Sequence, residues 1–261
     1  MPQKELELLD VDKIQSNLKT KRIGRKILVF NSTSSTNDLA KRYAVDKNCN
    51  GLAIFAEEQS DGRGRTGNKW FSQRSQSILC SIIISECNIN PELLSLTCAV
   101  ATADAIGKNA KIKWPNDILI NGKKAAGILL EAIVTNNTYT YIIGIGINCH
   151  QKKITFPSEL RNTATSIDIE NKTTCDRIGL AKRLLSSIDY WIETAESNNH
   201  KIIEYWRKLS IQLGQRIKLS FNKRQYSGNC IGINPEQGLI LQLDSGGIRM
   251  FDAAHTSIIK N

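Results

Sequence analysis

Apolar positions recur along the chain with two different periods, and the places where one gives way to the other outline its architecture. Residues 10–18 make one short helical pattern, and the basic stretch TKRIGRK leads into the apolar ILVF of 27–30, a predicted strand. The loop NSTSSTN supplies Ser, Thr and Asn as natural N-caps for a second helix near Asp38 to Val45. GLAIFAEE is the next predicted strand, and the glycines between Asp61 and Asn68 break regular structure after it. The run SILCSIIIS, 77–85, reads as a buried strand, and PELLSLTCAVATADAIGKN as a helix with Pro91 in its first turn and Gly107 near its end.

Alternation then takes over. KIKW, ILI, KAAGILLEAIV and YTYIIGIGIN make an antiparallel meander that turns at Pro115-Asn116-Asp117, Asn121-Gly122 and Asn136-Asn137. TTCDRIGLAKRLLSSIDYWIETAE reads as a long amphipathic helix opened by a Thr173-x-x-Asp176 capping box, and HKIIEYWRKLS continues helically. From about Gly214 the period returns to two in RIKLSF, YSGNCIGI, GLILQL and IRMF, separated by turn residues, which predicts a small C-terminal β-barrel.

Composition narrows the class. The 261 residues suit one large unit and one small one, and 41% hydrophobic against 23% charged residues is enough for a substantial core. MPQKELELLD has no apolar run of signal-peptide length, and no stretch approaches the ~18 uninterrupted apolar residues of a spanning helix, so a cytoplasmic protein without membrane contact is expected. Seven cysteines (Cys49, Cys80, Cys87, Cys98, Cys149, Cys175 and Cys230) are scattered without a C-x-x-C pair and read as reduced core residues. The formal charge of +10 fits a nucleic-acid binder, but also an anionic substrate or an acidic protein partner; the lysines are spread and carry no recognition signature.

Three segments carry candidate chemistry. Gly62-Arg63-Gly64-Arg65-Thr66-Gly67 matches G-x-G-x-x-G, yet NKWFSQRSQS follows where a dinucleotide fingerprint must open a helix, and the phosphate-loop Gly-Lys-Ser/Thr ending is absent. What remains is a mobile cationic loop in which Arg63, Arg65 and Lys69 interleave with glycines, suited to gripping a phosphate or carboxylate, or else an exposed basic turn. In KWPNDILINGKKAAGILLE, strict alternation puts Ala125 and Gly127 on one face of the strand and Lys124, Ala126 and Ile128 on the other, so at most one of Lys123 and Lys124 points at what the sheet encloses. GIGIN ending at Asn148 leaves space above a strand for a ligand, or for close helix packing. His150, His200 and His255 lack metal spacing and read as structural, and neither a nucleophile elbow nor paired catalytic carboxylates stand out.

Taken in order, Ser35-Thr36-Asn37, Glu58-Gln59 with GRGRTGNKW, KWPND, KKAAGILLE and GIGIN resemble the successive signature segments of bacterial biotin protein ligases, over roughly residues 10–261. The resemblance implies an α+β fold: a class II synthetase-like catalytic domain, residues 1–212, with a mixed or antiparallel sheet and flanking helices, and an SH3-like β-barrel, residues 213–261. It implies that biotin and Mg-ATP form biotinyl-5′-AMP, from which biotin passes to a lysine of biotin carboxyl carrier protein. Ser35, Thr36, Asn37, Gln59 and Gly62 would then hold biotin, with Gly127, Gly144 and Gly146 shaping its pocket. Arg63, Gly64 and Arg65 would wrap biotin and phosphates, and Lys124 would bridge the carboxylate and α-phosphate. Trp70, Asn116 and Asn148 would serve the adenylate, and Asp117 would orient Mg2+ or the incoming lysine.

Thr66 and Asn68 stand where many relatives have arginine, which bears on how the loop closes. Residues 1–25 hold at most one short helix, so the form without a DNA-binding domain, and hence without specific DNA binding, is expected. The resemblance leaves room for a homodimer. Two rivals remain: a lipoate protein ligase of the same fold, against which the GRGR loop and C-terminal barrel argue, and a basic nucleic-acid-binding protein.

Overall fold

A computed structural model describes residues 6–85, 87–135 and 138–259. Two sheets organise it. The first has seven strands: β1 (Ile27–Phe30), β2 (Ala53–Ala56), β3 (Ser77–Ser85), β4 (Ala110–Lys113), β5 (Asp117–Ile120), β6 (Lys123–Thr135) and β7 (Thr138–Asn148), in the order β1-β2-β3-β7-β6-β5-β4. Helix α1 (Val11–Gln15) precedes β1, and α2 (Thr36–Tyr43) connects β1 to β2, which pair in parallel; every other pairing is antiparallel, so the sheet is mixed.

That one parallel crossover positions the site, because it returns the chain beside its own start and bridges Thr33 to Gln59. Helices α3 (Pro91–Ile106), α4 (Ile167–Asn171), α5 (Arg177–Ser197) and α6 (Asn199–Leu209) follow in chain order. On one sheet face Ile78, Cys80, Ile82, Ile143, Ile145 and Ile147 bury against a layer that includes Leu94 and Val100 of α3 and Leu184 and Ile188 of α5. On the other face α2 covers only part of the sheet, Ala40 and Ala44 packing with Ile54, Ile83 and Ile142.

The second sheet is antiparallel, with β8 (Arg216–Phe221), β9 (Arg224–Asn234), β10 (Gly238–Leu243), β11 (Ile248–Phe251) and β12 (Thr256–Ile258) in the order β11-β10-β9-β8-β12, an arrangement compatible with an SH3-like barrel. Leu219, Cys230, Leu239, Leu241 and Phe251 fill its interior.

Several local expectations are corrected. Helix α2 begins at Thr36 with Ser35 as N-cap, which brings Thr36 and Asn37 into its first turn. Helix α5 is not opened by a Thr173 box: Asp176 is itself the N-cap and accepts from Gly179 N at 2.8 Å, as a carboxylate at that position readily does. Helix α4 and strand β12 have too few apolar residues to show a period. Strict alternation also fails in β6, where Ile118 pairs with Ala126 but Leu119 pairs with Lys124, a bulge that leaves Ala125 unmatched. Lys124 therefore shares a face with Gly127, opposite to the expectation. The Asn136-Asn137 turn lies outside the described residues.

Candidate active site

Where α2 leaves the sheet uncovered, a cavity of about 310 Å³ opens. One wall comes from the crossover. The Thr36 backbone N–H and hydroxyl both donate to Gln59 Oε1, at 2.8 and 2.9 Å. Ser81 Oγ of β3 lies 2.7 Å from Thr36 Oγ1 and 2.5 Å from Asn37 Oδ1, and Asn37 Nδ2 donates to Glu131 Oε2 at 2.6 Å. Thr36 and Asn37, each only 4% exposed, are held in one geometry by these hydrogen bonds. Ser35 makes no side-chain capping bond, so its hydroxyl remains available in the same wall.

The floor is glycine. Gly146 pairs with Leu79 on one side and Gly127 on the other, and Gly144 follows two residues along the same face. Each has a side chain where a Cβ would lie: Asn37 over Gly144, and the Trp70 indole over Gly146, with 2.5 Å to its Cε2. Over Gly127 the nearest atoms are Lys124 Cε and Trp70 Cζ3, both at 3.1 Å. Trp70 thus lies across the floor, 5.6 Å from Lys124 Nζ measured to its ring centre, with its own N–H buried and unpartnered among the described residues. An orphan donor at this point of the wall suits a ligand acceptor.

Cations ring the mouth. Arg63 grips Asp38 through two hydrogen bonds, at 2.6 and 2.7 Å, and this guanidinium holds the Asp38 carboxyl below its usual range. Arg65 donates to Asn116 Oδ1 at 3.3 Å and to the carbonyls of Ala253 and Thr256 near β12, and burial lowers its pKa. Lys124 is paired with Asp117 at 2.6 Å. Asn68 stabilises the loop turn, its Nδ2 donating to Arg65 O at 2.9 Å and its own carbonyl accepting from Gly64 N at 2.7 Å. Thr66, β-branched, takes a left-handed conformation there with φ 54°, a strained choice for such a residue.

Among the residues anticipated for the site, Ser35, Thr36, Asn37, Gln59, Arg63, Gly64, Arg65, Trp70, Asn116, Asp117, Lys124, Gly127, Gly144 and Gly146 all line this one cavity. Two do not. Gly62 is buried behind it, where a Cβ would meet Trp70 O at 2.8 Å, and Asn148 is tied to Thr165 O at 2.9 Å beneath the wall. Lys69, read from the sequence as one cation of the loop, also lines the cavity; reading the sequence missed Lys113, Leu79 and Leu129, and Ser257 and Ile258 of the C-terminal sheet, all of which line it. Among the described residues no group of three or more His, Cys, Asp or Glu forms a metal cage, and Asp117 offers one carboxylate that already has a partner.

The ordered motifs and this geometry agree with three comparisons. Residues 29–148 match the model of the biotin/lipoate A/B protein ligase family. The chain is 31% identical over 258 residues to the bifunctional ligase/repressor BirA of Bacillus subtilis, spanning 94% of this chain and 78% of that protein. The chain belongs to the biotin protein ligase family. It is also 30% identical over 237 residues to the biotin–[acetyl-CoA-carboxylase] ligase of Mycobacterium tuberculosis, covering 85% of each. Its fold is similar to that of the Aquifex aeolicus biotin protein ligase solved with biotin and ATP, with a TM-score of 0.78 at 24% identity, over 91% of this chain and 100% of that one. Within this ligase family, the bulge at Ala125 explains how KKAAG presents a single lysine to the cavity: it rotates Lys124 onto the glycine floor and leaves Lys123 outside the wall.

Proposed function

We propose that this chain activates biotin with ATP to biotinyl-5′-adenylate and passes the biotinyl group to a lysine of biotin carboxyl carrier protein. The observation that carries the reading is the position of Lys124, at the junction of a glycine-floored slot with an arginine-bearing loop in one cavity. Biotin's ring system would lie over Gly146 and Gly127 once Trp70 shifts, with Ser35 and the Thr36–Gln59 pair meeting its polar head. Its carboxylate would exchange with Asp117 for Lys124.

In the first step a carboxylate oxygen attacks the α-phosphorus, the bond to the bridging oxygen breaks, and pyrophosphate leaves with the electron pair. The protein's contribution is to hold the two anions together and to offset the charge that builds, through Lys124, Arg63 and Arg65. In the second step the neutral carrier lysine attacks the mixed anhydride and AMP leaves. Mg2+ would arrive on the ATP phosphates and supply charge neutralisation, with Asp117 as its single protein contact. Asn116, held to Ile128 O at 2.9 Å, would border the nucleotide. Residues 1–212 would form the catalytic domain and 213–261 the barrel that supports Arg65, in a cytoplasmic enzyme.

The test is to incubate the full chain with Mg-ATP, a carrier protein and either biotin or lipoate, and to map the modified residue by mass spectrometry. Biotin on one carrier lysine is expected. Modification with lipoate alone would overturn the substrate assignment.

A further inference from the structure

A second cavity, of about 690 Å³, shares no lining residue with the glycine-floored one. Gln73, Gln76, His150, Asp168 and Cys175 are among its walls. Cys175 is half-buried and shortly precedes α5, whereas Cys149, fully buried, directly follows β7. Asp168 of α4 draws the two together: its backbone N–H donates to Cys149 O at 3.0 Å, and its Oδ1 accepts from Cys175 N at 2.7 Å. His150 fixes Asp168 in turn, with Nδ1 2.8 Å from Oδ2. The Cys149 S–H has two acceptors within reach, the Ile147 carbonyl at 3.5 Å and the Cys175 sulfur. Two free thiols therefore meet, one in the core and the other at a cavity wall.

Their surroundings make them unequal. The hydrogen bond from Cys149 holds the Cys175 thiol below the usual thiol range, against the burial that opposes it. Burial, reinforced by the Cys175 sulfur, raises Cys149. Burial also raises Cys49, Cys80, Cys87, Cys98 and Cys230, the last to about 11. It is the thiolate that attacks an oxidant, and a thiolate at an accessible wall with a second thiol against it can be oxidised reversibly. Among the described residues no three His, Cys, Asp or Glu side chains converge to hold a metal, so the pair has no cage to serve.

We propose that Cys175 is a site of oxidation by hydrogen peroxide entering from this cavity, and that Cys149 resolves the product as a reversible disulfide. The Cys175 thiolate attacks one peroxide oxygen, the O–O bond breaks, and hydroxide leaves with the electron pair and takes up a proton. The Cys149 sulfur then attacks the sulfur of the resulting sulfenic acid; the S–O bond breaks, and the departing hydroxide takes the Cys149 proton. Two thiols are oxidised by two electrons, and one hydrogen peroxide is reduced to two waters. Neither cysteine lines the active-site cavity, so this chemistry stands whether or not the chain activates biotin.

The test is to treat the reduced full chain with hydrogen peroxide and map its cysteines by mass spectrometry, for the wild type, Cys149→Ser and Cys175→Ser, with the melting temperature as a check on the fold. The wild type should yield a disulfide joining Cys149 to Cys175, which dithiothreitol reverses. Cys149→Ser should hold Cys175 as a sulfenic acid that dimedone traps, the serine hydroxyl keeping a donor to its sulfur, and Cys175→Ser should lose both products. Cys87 is the internal control, half-buried but with its thiol raised. In the wild type Cys175 should be oxidised at least about tenfold faster than Cys87, through its larger thiolate fraction. No Cys149–Cys175 disulfide in the wild type, or equal oxidation of Cys87 and Cys175, overturns the proposal, as does a folded Cys149→Ser in which dimedone misses Cys175. If Cys149→Ser does not fold, the wild-type disulfide and the Cys175-to-Cys87 ratio decide alone.

Discussion

Replacing Gly146 with alanine puts a methyl group into the space of the Trp70 indole. The added carbon would lie 2.5, 2.6 and 2.9 Å from Cε2, Cζ2 and Nε1 of a rigid ring, against an ordinary contact of about 3.5–4.0 Å. The ring must retreat by about 1 Å, and its backbone is held, since Trp70 N donates to Gly62 O at 2.8 Å. Such overpacking costs about 1–3 kcal/mol, and each kcal/mol lowers Tm by roughly 2–4 °C in a chain of this size. Narrowing the floor by one methyl should also weaken biotin about 10- to 200-fold, the usual penalty for one carbon in a fitted pocket. Fluorescence reports on the ring itself. Of the four tryptophans, Trp114, Trp191 and Trp206 are 0–2% exposed, so a red shift in emission on Gly146→Ala belongs to Trp70. Gly127→Ala is the control, because two of its three nearest atoms, at 3.1–3.2 Å, are the flexible end of Lys124, and its effects should be smaller. Wild-type emission, Tm and biotin affinity in Gly146→Ala would refute the placement of the indole on the glycine floor.

Lys124→Ala should lose about 2.7–4 kcal/mol of transition-state stabilisation, on the order of 10²–10³ in the rate of adenylate formation, whereas Lys123→Ala should be nearly silent; equal losses in a single-turnover assay would contradict the bulge-based face assignment. Arg177 and Glu57 form an ion pair at 2.7 Å with side-chain exposures of 2% and 1%, so Arg177→Met alone should cost about 3–5 kcal/mol in urea denaturation and Glu57→Gln with Arg177→Met much less, an order that the reverse result would exclude. Burial raises the Glu92 carboxyl above its usual range, and its Oε2 has no partner among the described residues. The stability it contributes is therefore complete below the unfolded pKa and lost as pH rises through the folded one. Glu92→Gln should accordingly raise Tm relative to wild type at neutral pH, with the gain disappearing below about pH 4.5; a difference independent of pH would refute this.

Much of the fold was legible because its signals are local. The nine residues 77–85, six of them apolar and with serines only at 77, 81 and 85, fit a strand buried on both faces, and Asn121-Gly122 adopts positive φ at both positions, as the hairpin requires. What escaped was set by pairing across strands or by distant side chains. The alternation rule assumes a regular ladder, so the bulge opposite Ile118 and Leu119 reversed the face of Lys124 without leaving a mark in the linear pattern. Two capping residues three positions apart, Thr173 and Asp176, fit the linear pattern equally well, and the helix opens at the second, where the carboxylate accepts from Gly179 N. Ser81 and Glu131, which lock Asn37, look in sequence like ordinary strand residues. Lys113 sits inside KWPND beside more conspicuous neighbours and was passed over.

The central claim is that this cavity joins biotin to AMP. It is tested most directly by exchange of labelled pyrophosphate into ATP, with purified full chain, Mg2+ and no carrier protein present. The account predicts exchange that requires biotin, is not supported by lipoate, and falls about 10²–10³-fold in Lys124→Ala. No exchange with biotin, or exchange that proceeds equally well with lipoate or without either acid, would contradict it.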